Sequence, residues 1–301
     1  MQENQNNQPR LRTGLLIGLF LLLFLPVTAV GQQIGDDPPA WLLLEQGHRQ
    51  FDQGDFGAAL RSYRDALVEA AVMPEAELGM ARVYAAQADD LLAIRYYRGA
   101  LEQERQFAVP ELRYQGRLEL AEIFRRRREP ELYEELLLEI VAEDTVFSSP
   151  EEEATREQMR QVLLSEGLDR LLILYRLDEL FSVEAHQRLA GHFLDGGRDA
   201  ALDHALFAVV KILSEAIDGY RERNFDYEFE TLLGFMDRLE GEPRIQDYLR
   251  QAGLYQSLYH LGRAIDLYRP RSGVGREVLT DLLEIGEPAG RWAGMARRYL
   301  Q

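Results

Sequence analysis

From Ala40 onward, apolar side chains return every three or four residues, and almost nowhere do they alternate with polar ones as in a strand with one wet face. The pattern predicts helix after helix. The first covers about residues 40–53, Gly54-Asp55 forms a turn, and the second runs from Phe56 to about Ala70. Gly54 is free to take a left-handed conformation, and Asp55 can cap the helix that follows. Four landmarks then recur at a spacing of 34: Gly47 with Ala81, Ala59 with Ala93, Tyr63 with Tyr97, and Ala66 with Ala100. That period is the length of one helix-turn-helix unit, which cannot bury its apolar face alone and must stack on a neighbour. The small residues let paired helices approach, while Phe56 and Tyr63 fill the space between them, each ring contributing about 2 kcal/mol of burial.

Later segments keep the helical period and loosen the repeat. Leu118-x2-Ala121-x2-Phe124 copies the first-helix pattern 40 residues after Ala81, so about six residues are inserted, and Glu131 to Glu143 forms its second helix with Tyr133 and Leu137 inside. Pro74 and Pro110 are placed to open the helices after them. Ser148-Ser149-Pro150-Glu151 reads as a helix start with serine caps. Met159, Val162, Leu163, Leu171, Leu172 and Tyr175 trace an apolar stripe, and His186 to Ala208 revives a repeat-like shape around Gly196-Gly197. Asn224 to Leu239, Ile245 to Leu261 and Glu277 to Glu284 are further amphipathic segments, and Trp292 to Leu300 caps the array.

The run Phe51-Asp52-Gln53-Gly54-Asp55-Phe56, followed by Ala59-x3-Tyr63-x2-Ala66, resembles the turn and second helix of a tetratricopeptide repeat (TPR). Leu43, Gln46 and Gln50 stand where that family has Trp, Leu and Tyr, so Gly47 is the strict match of the first helix. The next copy supplies Met80-Ala81-x2-Tyr84 and Ala93-Ile94-x2-Tyr97-x2-Ala100. The resemblance implies an all-α, right-handed α-solenoid of stacked antiparallel helix pairs, about six of them. Repeats at about 40–73, 74–107 and 110–144 make up residues 40–147, and degenerate helical repeats with a capping helix make up 148–301. It also implies a concave groove offered to a peptide or a partner's helix. On this register the groove receives Trp41, Leu44, His48 and Phe51, then Leu78, Arg82 and Ala85, then Leu118, Glu122 and Arg125. Trp41 has a second reading, as a lid packed under the preceding linker. Members that clamp a chaperone carboxylate use Lys and Asn on these faces; Leu44, His48 and Gly79 stand there, so that clamp should be absent.

The N-terminal stretch reads as an address. Residues 1–13 are polar with Arg10 and Arg12, Gly14 to Leu25 carry no charge, Pro26 breaks the run, and Ala29-Val30-Gly31 offers small residues for cleavage before Gln32. Residues 1–31 are therefore expected to be a signal peptide and 32–39 a linker, placing the protein in the periplasm or cell envelope. The alternative is an inner-membrane anchor at 14–30, whose 17 residues stand at the lower limit of a span.

Composition narrows the chemistry. A formal charge of −17 disfavours nucleic acid and anionic bilayers as partners, leaving membrane contact only to an uncleaved N-terminus. With no cysteine, disulfides, thiolate metal sites and thiol nucleophiles are excluded. Lys211 is the only lysine, and no function is read into it. The five histidines, His48, His186, His192, His204 and His260, lack the three- or four-residue spacing of a helical zinc pair. There is no phosphate loop, nucleophile elbow or dinucleotide fingerprint, and Gly273-x-Gly275 reads as a turn. Arg125 to Arg128 point all round a helix axis and read as a solvated turn. No cofactor, metal or catalytic residue is expected. The expectation is an exported, non-enzymatic scaffold binding another protein or peptide; the alternative is a small-ligand or transport-accessory protein partnering a periplasmic solute-binding protein.

Overall fold

The computed structural model describes residues 38–177, 181–285 and 290–301, and every regular element among them is helical. The expected signal segment, and the linker before Pro38, lie outside the described residues. Extended Pro39 leads into α1 (Ala40–Asp52), which pairs with α2 (Phe56–Glu69); α3 (Pro74–Ala86) pairs with α4 (Asp90–Glu102), and α5 (Leu112–Arg127) with α6 (Pro130–Ala142). The turns share one device. Gly54, Ala88 and Arg128 all take the left-handed conformation, at φ of 77°, 59° and 60°. Only the first has a glycine to do it freely; a left-handed alanine or arginine costs about 1–2 kcal/mol. Asp55 and Asp89 then accept the backbone N–H of Ala58 and Leu92 at 2.9 and 3.1 Å, capping α2 and α4.

Small residues set the helix spacing. Ala59, Ala66, Ala81, Ala93 and Ala100 are fully buried, and Tyr63 is wedged so tightly that a Cβ added to Gly47 or Gly79 would stand 2.4 or 2.5 Å from its ring. Thus Gly79 lies beneath Tyr63 rather than on a groove face. The odd-numbered helices contact one another in succession, α1 with α3 and α3 with α5, while α2 reaches α3 and α4 reaches α5, so the pairs stack as two layers.

The second half keeps the pairing but surrounds it. After α7 (Thr145–Ser148) comes α8 (Glu153–Leu174), bent at Gly167 (φ 87°); α9 (Val183–Asp195) then pairs with α10 (Ala201–Arg221). Next come α11 (Leu232–Arg238) and α12 (Pro243–Gln251), the pair α13 (Leu254–Tyr268) and α14 (Val274–Ile285), and α15 (Arg291–Leu300). α9 rests on α6, α13 on α9 and α10, and α15 on α13 and α14. With α8, α9, α12 and α13 around it, α10 is buried on nearly every side, from Ala201 to Ile217. It is the central helix of this half.

Several boundaries differ from the sequence reading. Pro110 stands in the turn before α5 rather than opening it. Ser148 donates to the carbonyl of Asp144 at 2.8 Å rather than capping α8. Asn224 to Glu230 is not helical, and α11 begins only after Thr231, whose hydroxyl caps it. Ile245 to Leu261 is two helices split at left-handed Gly253 (φ 75°).

Gly273 does make a turn at φ 80°, but Gly275 lies inside α14, where a Cβ would meet the backbone oxygen of Gly262 at 2.5 Å and Asp266 Oδ1 at 2.4 Å. A backbone oxygen cannot swing aside as a side chain does. Gly275→Ala is therefore expected to cost about 1–3 kcal/mol by forcing α13 and α14 apart, read as a lower urea midpoint; an unchanged midpoint would mean that this crossing is looser than it stands here.

Candidate functional site

The first-layer helices border two open cavities. One, of about 580 Å³, is walled by His48 and Phe51 of α1, Tyr63 of α2, Arg82 and Ala85 of α3, and Tyr97 and Glu119 behind them. Arg82 grips Glu119 with two nitrogens, Nε to Oε2 and Nη2 to Oε1, both at 2.9 Å, and Tyr97 donates to the same carboxylate at 3.0 Å. Burial, and then Arg82, hold the His48 imidazole below its ordinary value, so it presents a neutral ring here. Burial pushes the Tyr63 phenol up to about 12. The walls thus offer aromatic surface, one neutral imidazole and a guanidinium already matched by its own carboxylate.

The other cavity, about 710 Å³, lies between α5, α9, α12, α13 and α15. Half-buried Tyr114, Phe181, Tyr248 and Trp292 line it together with Leu118 and the side chains of Gln115, Gln187, Gln251 and Gln256. Tyr114 and Phe181 stack at 4.6 Å. Arg82, a wall of the first cavity, donates to Gln115 Oε1 at 3.3 Å, so a single side-chain contact separates the two spaces. Arg188 of α9 donates to the carbonyl of Leu118 at 2.8 Å, joining the first-layer helices across the inserted α7 and α8.

Of the residues expected in the groove, His48, Phe51, Arg82 and Ala85 line the first cavity and Leu118 the second. Leu78 does not belong there: it is 1% exposed, in the core, because Gly116 lets α5 come close enough to cover that end of α3. Leu44 is half-buried against the core of the first repeat. Trp41 is 65% exposed and lines neither cavity, and Glu122 and Arg125 bind each other on the surface at 2.6 Å. The basic run is similarly spent, Arg126 on Asp90 at 2.9 Å and Arg127 on Glu129 at 2.6 Å.

Sequence reasoning missed a buried polar cluster. Asp144 and Lys211 pair at 2.8 Å with side chains 1% and 0% exposed, Ser182 donates to Asp144, and His186 and His204 bring their Nδ1 atoms within 3.0 Å. Spacing hid the histidines, since 18 residues separate two side chains that meet across α9 and α10. Lys211 itself was the available signal. It sits in the apolar run Ala205 to Ile217, where an ammonium must find a counter-charge inside the protein. The cluster lines neither cavity. A second perturbed group, Asp281, is pushed up to about 6 by burial and then by Asp169, Glu284 and Glu277, and it too faces neither cavity. Among the described residues, no group of histidines and carboxylates is arranged to hold a metal ion, and no helix is long and apolar enough to cross a membrane.

These features define an all-helical protein of adjacently packed helix pairs with an open, aromatic-walled face. No family model matches the chain. It is similar to a protein of Treponema pallidum (strain Nichols) described as uncharacterized, with 24% identity over 198 residues, 64% of this chain and 53% of that protein. The chain spans about half the length of this relative.

Proposed function

We propose that the protein is an exported, non-enzymatic scaffold that binds another protein or peptide through the face formed by α1, α3, α5, α9, α13 and α15. On this reading the fold is a right-handed TPR-like solenoid of about six pairs, capped by α15. One observation carries the binding role: two open cavities border the same succession of helices, and the Arg82 to Gln115 contact makes them neighbours. Aromatic walls and mostly neutral hydrogen-bonding side chains suit an extended or helical segment with apolar anchors. The signal-like segment supports an envelope location, and an uncleaved segment would instead tether the scaffold to the inner membrane.

The test is obstruction. Gln251→Trp with Gln256→Trp fills the second cavity from two side chains outside the core, and Phe51→Ala removes a ring from the first. Capture of the partner from an envelope extract is expected to fall at least about tenfold for the obstructed variant, with helical circular dichroism retained, since a specific interface concentrates its energy in a few central anchors. Capture unchanged by both variants would remove the groove from the argument. A small-ligand role, as in transport-accessory proteins that partner periplasmic solute-binding proteins, is favoured by cavity size alone, because both volumes fall in the range of about 300–1,000 Å³ typical of metabolite pockets. A thermal shift with a small metabolite, abolished by the same Gln variants, would select that reading.

A further inference from the structure

The buried cluster ties together three stretches of chain and stands directly behind the second cavity. Asp144 lies in the turn after α6, Ser182 and His186 at the start of α9, and His204 and Lys211 on α10. Asp144 Oδ2 receives Lys211 Nζ at 2.8 Å and Ser182 Oγ at 2.5 Å, with His186 Nε2 3.8 Å away. Phe147 of α7 packs on both imidazoles, each ring centroid 4.8 Å from its own. The chain neighbours of Asp144 and Ser182 are wall residues or hold one. Glu143 accepts from Tyr114 Oη at 2.8 Å, and Phe181 stacks on that same ring.

We propose that this cluster is an acid-released latch: with both imidazoles neutral it pins Asp144 to Ser182 and holds Phe181 against Tyr114 as one wall of the second cavity, and protonating the imidazoles frees that wall. The His186 to His204 contact requires at least one bare Nδ1, so loading both rings breaks it. Burial is the main obstacle to a proton on either ring, and it holds both histidines below their ordinary 6.5. Lys211 of α10 and Arg198 of the turn before it oppose an imidazolium, while Asp144 and Asp203 favour one. Each acid is already engaged, Asp144 by Lys211 and Asp203 by Arg160 of α8, whose Arg156 lies 5.8 Å from the Phe147 ring centroid.

The direction of the pH effect follows. A freed histidine titrates near 6.5, so below that pH the released state binds protons that the latched state refuses. Latch stability is complete above 6.5 and is lost as the pH falls from there toward the lowered folded values. Asp144, held well below the usual carboxylate range against its own burial by the imidazole of His186 nearby and by its bonds to Lys211 and Ser182, stays ionised throughout that window.

Hydrogen exchange of the full chain at pH 7.5 and 5.5, corrected for intrinsic rates, reads the latch directly. Protection of 143–148 and 181–187 is expected to fall relative to the histidine-free stretch 56–102, by about tenfold if release loads one imidazole and about a hundredfold if it loads both. The double variant His186→Phe with His204→Phe should lose this pH difference. If that variant does not fold, titrating the imidazoles of the unaltered chain by NMR decides the matter: values at or above 6.5 for both overturn the latch. So do equal protection at the two pH values and a loss matched across 56–102. No partner is present in these measurements, so their failure is separate from failure of the groove; only the latch's effect on a partner rests on that reading.

Discussion

Asp144→Ala is expected to destabilise the protein by about 1–3 kcal/mol, the loss that follows when a buried charged acceptor is taken from its donors Lys211 and Ser182. The Lys211 ammonium has no route to water from the middle of α10, whose surroundings are buried on nearly every side, and it would lose the carboxylate at 2.8 Å. Ser182 loses its acceptor in the same step. The matched control is Arg125→Ala, which breaks a pair with Glu122 whose side chains are 59% and 36% exposed; exposed pairs of this kind contribute about 0–1 kcal/mol. Urea unfolding followed by circular dichroism, with the slope unaltered, gives both numbers. A loss below about 1 kcal/mol for Asp144→Ala would mean that other groups carry the Lys211 charge, and the ion pair would no longer explain how α7 and α9 are held to α10.

Tyr63→Ala is expected to cost about 3–5 kcal/mol, the range for deleting a large aromatic ring from a packed interior. Tyr63 is 1% exposed and is received by two glycines, Gly47 on α1 and Gly79 on α3, neither of which has a side chain to move into the space left behind. The void should persist, and it lies where the first two pairs meet. Val68→Ala on the same helix, at a side chain 80% exposed, should change stability by less than about 0.5 kcal/mol. A Tyr63 variant as stable as that control would mean that the helices close over the gap, and glycine spacing would not be what sets the contact between repeats.

The first repeats were legible because their signals are local. Gly54, Asp55, Ala59, Tyr63 and Ala66 each act on a turn or on the partner helix a few residues away, and the structure places all of them as the spacing implied. The third turn was harder to read, since Arg128 takes the left-handed position that a glycine would have advertised. In the second half an apolar period continues through Asn224 to Glu230 and across Gly253, but neither stretch is one continuous helix. Amphipathic spacing states which face is apolar and is silent on where a left-handed residue breaks the rod. Of the positions expected in a groove, His48, Phe51 and Arg82 line the first cavity, whereas Leu78 is buried. Leu78 and Arg82 share one face of α3 a turn apart, and the close approach of α5 at Gly116 covers the first and not the second.

What the chain determined by itself is the succession of helices, the pairing of the early ones and the small-residue crossings, since hydrophobic period and turn residues act within one unit of 34 residues. Tertiary structure alone decided that Asp144 meets Ser182, 38 residues away, and Lys211 on α10, and that His186 faces His204. Inserted helices of no fixed length separate Asp144 from these partners, so no sequence interval encodes the encounter. It arises only when α9 and α10 close against the turn after α6 and exclude water, and a dry interior is what makes such groups pair.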